Sequence, residues 1–236
     1  MYQQSIGIIG GFGAYATLGF YRSILEAFAS DSERNYPHIY MDNDFTMPSR
    51  TRALLYGEGY DEVVRMIASS MKKMELLGAD YIVMVCGTAH AFLPDVYKLV
   101  PGIREKVVNI IEVLRERLLQ ESVSKMLIIA AEGTLQQKVY PKYLSPLVCV
   151  NPEERYYDEI RYFIESVKRN SMEEETFRRF HAFLRGFGCR DVILGCTEYP
   201  ILVDSIRKSR YVEEIADYRF WDPLTLTIQK LQTIMK

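Results

Sequence analysis

Short aliphatic runs alternate along the chain with longer stretches in which apolar residues recur every three to four positions. Ser5–Ile9 is the first such run; it ends in glycines and predicts a strand. Residues 17–29 predict a helix and His38–Asp42 a second strand. In residues 61–77 the series Val63, Val64, Ile67, Met71, Met74 and Leu77 marks one face of a long helix. Further strands are predicted at 81–85, 107–111, 125–130 and 192–194. Residues 173–187 predict a helix with Phe177, Phe180, Phe183, Leu184 and Phe187 along one side, and the stretch 215–235 ends the chain with a helix predicted after Asp222-Pro223. This alternation predicts an α/β fold with parallel sheets flanked by helices. Such sheets bind ligands at the carboxyl ends of their strands.

Composition narrows the function more than the fold. A formal net charge of −2 over 236 residues argues against a nucleic acid or an anionic membrane surface as partner. No apolar run reaches the roughly 18 residues of a membrane span, and the first residues lack a basic, signal-like pattern. A cytoplasmic protein is the resulting expectation. The four cysteines, Cys86, Cys149, Cys189 and Cys196, form no C-x-x-C pair. Free thiols are therefore expected, without a metal site.

Two of those cysteines end related segments. Gly78-Ala79-Asp80-Tyr81-Ile82-Val83-Met84-Val85-Cys86 parallels Gly188-Cys189-Arg190-Asp191-Val192-Ile193-Leu194-Gly195-Cys196. Each reads helix end, glycine, polar step, apolar strand, cysteine, and the glycines suit left-handed helix C-caps. Two pseudo-symmetric half-domains follow, with a thiol from each facing a cleft between them. Helices are predicted at 89–99 and 200–209, and their N-termini offer positive potential to a thiolate or a carboxylate. Two thiols on opposite faces of a Cα centre suit its inversion, because one removes a proton while the other returns one.

Four segments resemble the aspartate/glutamate racemase superfamily, most closely its aspartate racemase branch. They are Gly7-Ile8-Ile9-Gly10-Gly11-Phe12-Gly13, Met47-Pro48-Ser49-Arg50-Thr51, Cys86-Gly87-Thr88-Ala89-His90 and Gly195-Cys196-Thr197-Glu198. The resemblance implies a racemase of aspartate or glutamate that needs neither pyridoxal phosphate nor metal, with Cys86 and Cys196 as its two bases. It implies carboxylate binding by Arg50 and by Lys168, which stands in Val167-Lys168-Arg169-Asn170. It places Thr88, Thr134 and Thr197, with the backbone of Gly11 and Gly87, near the substrate, and it implies a homodimer. It also implies that the C-terminal helix returns to the first half, so the expected boundaries are 1–111 plus 212–236 for the first half-domain and 112–211 for the second. An arginine fork and a lysine together suit a small dicarboxylic amino acid.

Four positions depart from the family pattern, and two of them, Phe12 and Ala14, stand for the methionine and proline of the opening motif. Gly87 replaces the motif's asparagine, leaving only backbone there, which implies an altered substrate preference. Glu132 precedes Gly133-Thr134, where its charge would repel a carboxylate if it lined the cleft. Other functions are also open. Gly11-Phe12-Gly13-Ala14-Tyr15-Ala16 fits a dinucleotide-binding turn, with Asp42 at the end of the next strand, as in NAD(P)-dependent oxidoreductases. A related cysteine-dependent isomerase or decarboxylase, or a binding protein of the same fold, completes the alternatives.

Overall fold

The computed structural model describes residues 2–235, which form two parallel sheets wrapped by helices. The first half runs β1 (Ser5–Ile9), α1 (Ala14–Ala27), β2 (His38–Asp42), α2 (Arg50–Tyr56), α3 (Tyr60–Leu76), β3 (Tyr81–Met84) and α4 (Leu93–Leu99). The second opens with α5 (Ile110–Gln120), β4 (Lys125–Ile129), α6 (Glu132–Gln136), α7 (Val139–Leu144) and β5 (Val148–Val150). It continues with α8 (Tyr157–Lys168), α9 (Glu174–Arg185), β6 (Asp191–Leu194), α10 (Glu198–Arg207), β7 (Arg219–Trp221) and α11 (Pro223–Ile234).

Strand order is β2-β1-β3 in one sheet and β5-β4-β6-β7 in the other, with parallel pairings throughout. All of β1 and β6 is buried, and β4 is buried beyond Lys125. Uninterrupted aliphatic runs suit strands covered on both faces. The aromatic stripe of α9 buries Phe177, Phe180, Phe183 and Leu184. Phe163 of α8 meets Phe180 edge to face, with ring centroids 5.3 Å apart.

The two halves repeat one local construction. Val85 N–H donates to the Ile9 carbonyl at 3.0 Å, and Gly195 N–H donates to the Ile129 carbonyl at 2.8 Å. In each half, the residue before the cysteine thus bonds to the last residue of the central strand. Gly78 and Gly188 both adopt the left-handed conformation before their strands, at φ 78° and 57°. A hydrophobic core runs through both halves, joining Ile6, Ile8 and Phe20 to Leu127, Ile129 and Phe163. The other face of the first sheet packs on α3 and α4 through residues such as Ile67, Met71, Ile82 and Val96.

One expectation is corrected. Residues 107–111 are not a strand: Val107 makes a single bridge to Ile82, and Asn109 then caps α5 by accepting from the N–H groups of Ile111 and Glu112. The helix expected after Asp222-Pro223 is present. Residues 219–221 pair with β6, and the Asp222 carboxylate caps the helix, whose first residue is Pro223. β7 extends the second sheet, while α11 packs on α5 and returns to α1, where Gln232 donates to the Ala27 carbonyl at 2.6 Å.

Candidate active site

Cys86 and Cys196 each lie two residues beyond the end of a strand, β3 and β6. Both line one cavity of about 160 Å³ between the halves. From the first half it receives Phe12, Ser49, Arg50, Thr51, Cys86, Gly87 and Thr88. The second half contributes Ala131, Ile164, Lys168, Gly195, Cys196, Thr197 and Glu198. A wider cavity of about 750 Å³ adjoins it and shares Phe12, Lys168, Thr197 and Glu198.

Arg50 opens α2, whose N-terminus is capped by Ser49. Its guanidinium donates to the Phe12 carbonyl at 2.8 Å and to the Pro48 carbonyl at 3.1 Å. The guanidinium also lies over the Phe12 ring, 5.3 Å from its centroid. Its Nε is buried and lacks a partner. A guanidinium carries five donors, so this fork keeps hydrogens for a carboxylate while two carbonyls orient it.

Cys196 precedes α10, and Glu198 is the first residue of that helix. The thiol donates to Glu198 Oε2 at 2.9 Å, and Thr197 Oγ1 donates to the same oxygen at 3.1 Å. The helix N-terminus was expected to favour a thiolate here. The opposite holds: close burial, and next the Glu198 carboxylate, push the Cys196 thiol well above the ordinary cysteine range. Glu198→Gln is expected to lower the Cys196 pKa and quicken its alkylation by iodoacetamide at pH 8, about tenfold for each unit the pKa falls. Peptide mass spectrometry measures that rate, and a rate equal to wild type would remove Glu198 from control of the thiol.

His90 sits four residues after Cys86 in a 3-10 turn and is fully buried. Its Nδ1 lies 2.9 Å from the Cys86 carbonyl. Burial lowers its pKa to about 4, partly offset by that hydrogen bond, so the ring is neutral at pH 7. A carbonyl only accepts, which places the proton on Nδ1. His90 therefore holds the Cys86 carbonyl through Nδ1, while its buried Nε2 has no hydrogen-bond partner.

The other expected site residues divide. Thr88, Thr197, Gly87 and Lys168 line the inner cavity. Lys168 ends α8 at the rim, where Glu165 pairs with it at 3.1 Å. Thr134 stands outside the lining, behind Thr88, and their hydroxyls are 2.7 Å apart. Gly11 is also outside the lining. It is glycine because its φ is 82° and because a Cβ there would overlap the Asp44 carbonyl. Glu132 is turned away from the cavity and pairs with Arg161 at 2.6 Å, so its charge does not confront a substrate. Ser49, Thr51 and Ile164 were missed. Two flank Arg50 in its motif, and Ile164 lies one helical turn before Lys168 on the same face of α8.

A profile of the Asp/Glu/Hydantoin racemase family matches residues 9–230. The chain belongs to this family. It is 24% identical over 143 residues to the broad specificity amino-acid racemase RacX of Bacillus subtilis, covering 59% of this chain and 60% of that protein. It is 27% identical over 160 residues to the glutamate racemase of Carboxydothermus hydrogenoformans, covering 65% and 57%. The matches thus span less than two thirds of these curated relatives. The fold is that of Picrophilus torridus aspartate racemase, with a TM-score of 0.78 at 23% identity over 98% of this chain and 94% of that one. The dinucleotide reading has no support within this family. The carboxylate of Asp42, which it needs for a ribose, is bound by Lys73 at 3.0 Å. Among the described residues no helix is long and apolar enough to cross a membrane.

Proposed function

We propose that this racemase-family protein inverts an acidic α-amino acid by passing its Cα proton between Cys86 and Cys196, with no cofactor. The observation that carries this reading is that thiols from the two halves line one small cavity. The burial and acidic neighbour of Cys196 favour its protonated form, so it serves as the proton donor for one enantiomer. Cys86, as thiolate, then takes the Cα proton and Cys196 returns its own to the opposite face. One C–H bond breaks, another forms, and the sulfur charge changes sides. The reverse direction exchanges the two roles.

The cavity suits a zwitterion. Arg50 offers a fork to the α-carboxylate, and Glu198 offers an acceptor to the α-ammonium group. Lys168 at the rim receives the side-chain carboxylate after leaving Glu165. Arg50→Ala is expected to raise KM about 30-fold, matching the roughly 2 kcal/mol of a charge-assisted hydrogen bond. Arg50→Lys should recover little of this, because a point charge does not replace the fork. Steady-state kinetics on both variants check the prediction; an unchanged KM for Arg50→Ala would assign the carboxylate to another group.

The test of the function is Cα–deuterium exchange, followed by NMR and chiral chromatography on a panel of L- and D-amino acids. Exchange with inversion on aspartate or glutamate is expected. Exchange confined to other amino acids would overturn the acidic substrate, and a folded protein exchanging none would overturn racemisation. The same reading includes a cytoplasmic homodimer; sedimentation equilibrium near twice the 27.4 kDa chain mass is the expected result for the dimer.

A further inference from the structure

Gly87 follows one cysteine, Gly195 precedes the other, and a single tyrosine packs against both. Tyr140 in α7 is 1% exposed, and its hydroxyl donates to the Gly195 carbonyl at 3.4 Å. A Cβ on residue 87 would lie 2.5 Å from that hydroxyl and 3.0 Å from the Gly195 carbonyl. A Cβ on residue 195 would lie 3.1 Å from the Tyr140 ring. Yet Gly87 has φ −60° and ψ −43°, ordinary helical values open to any residue. The backbone does not call for glycine at 87; the phenol does.

We infer that Tyr140 is a positioning residue, a wedge whose phenol sets the separation of the two cysteine-bearing strand ends, with Gly87 as its required counterpart. The inference rests on the two-thiol reading for its consequence in catalysis. Two sulfurs that address opposite faces of one carbon must be held at a fixed spacing, and a misplacement of about 1 Å can cost on the order of a hundredfold in rate. Tyr140 meets that need from behind the cavity, which it does not line. It stays a neutral phenol, because burial and the two nearby cysteines push its pKa well above the ordinary value. A second contact fixes the same helix to the Cys86 segment: Tyr143 donates to the His90 carbonyl at 3.2 Å. The wedge also accounts for the departure from the family motif. An asparagine at 87 would have to enter the space that the Tyr140 hydroxyl occupies, so restoring the motif residue does not restore a family-like site.

The experiment compares wild type, Gly87→Ala, Tyr140→Phe and the double variant. Three readouts are taken: melting temperature, iodoacetamide alkylation of Cys86 and Cys196 by peptide mass spectrometry, and kcat against KM in Cα exchange. Gly87→Ala should lower kcat about tenfold or more and change the alkylation rate of both thiols, while Tyr140→Phe lowers kcat severalfold with KM held within about twofold. Phenylalanine lacks the atom that the new Cβ would strike, so the double variant should regain part of what Gly87→Ala loses in melting temperature and alkylation. Additive effects in the cycle, or unchanged alkylation and kcat in Tyr140→Phe, would overturn the inference. A wild type that exchanges no Cα proton defeats the racemase reading alone, since alkylation and melting temperature still decide the wedge. Active exchange with an additive cycle defeats the wedge alone.

Discussion

Serine at either position 86 or position 196 is expected to reduce inversion by at least about a thousandfold, the range associated with a positioned general acid or base. The hydroxyl keeps the shape of the thiol but ionises far less readily, so it neither removes nor returns a proton at the same rate. The two variants should differ in what they retain. With Cys196→Ser, Cys86 still addresses one face of Cα, and slow deuterium exchange with retention is expected for one enantiomer. With Cys86→Ser, the remaining thiol is the one that burial and Glu198 keep protonated, so exchange should be slower still at neutral pH. NMR exchange rates paired with chiral chromatography measure both effects. Either variant inverting its substrate at the wild-type rate would sink the two-thiol mechanism.

The second large effect concerns acid. His90 has a pKa of about 4 in the fold against 6.5 as an ordinary histidine. As pH falls through 6.5, the unfolded chain takes up a proton that the folded chain refuses until about pH 4. Stability due to the neutral ring is therefore fully present above 6.5 and is lost progressively down to about 4, reaching roughly 3 kcal/mol at the acid end. The loss acts on the segment that carries Cys86, because the Cys86 carbonyl is the bonding partner of the ring. His90→Asn, which keeps a donor without a titrating group, should flatten the decline. Urea unfolding at pH 7.5 and 4.5 on both proteins tests this; equal declines would show that other groups control acid stability.

Much of the fold was legible because aliphatic periodicity reports burial directly. Ser5–Ile9 and the runs ending at Ile129 and Leu194 are central strands of parallel sheets, and the phenylalanine stripe of α9 faces the core. The paired cysteines were legible for the same reason: each follows a run that only a buried strand accommodates, and the halves repeat the hydrogen bond before the thiol. Short elements were less legible. β5 and β7 have three residues each, too few for a period to show. Asn109 starts a helix by capping, and the apolar residues around it read as a strand until the cap geometry is seen.

The sequence by itself determined the alternating α/β plan, the two thiols at strand ends and the family motif around Arg50. Those are properties of local periodicity and residue type, which chain order carries in full. Only the tertiary structure decided which side of the cavity a charge faces and why Gly87 is glycine. Glu132 is turned toward Arg161, Glu198 lies on the Cys196 thiol, and Tyr140 fills the space beside Gly87. Each of these depends on atoms brought together from separate elements, or on the direction in which a side chain leaves its helix, and neither is written in the spacing of residues along one segment.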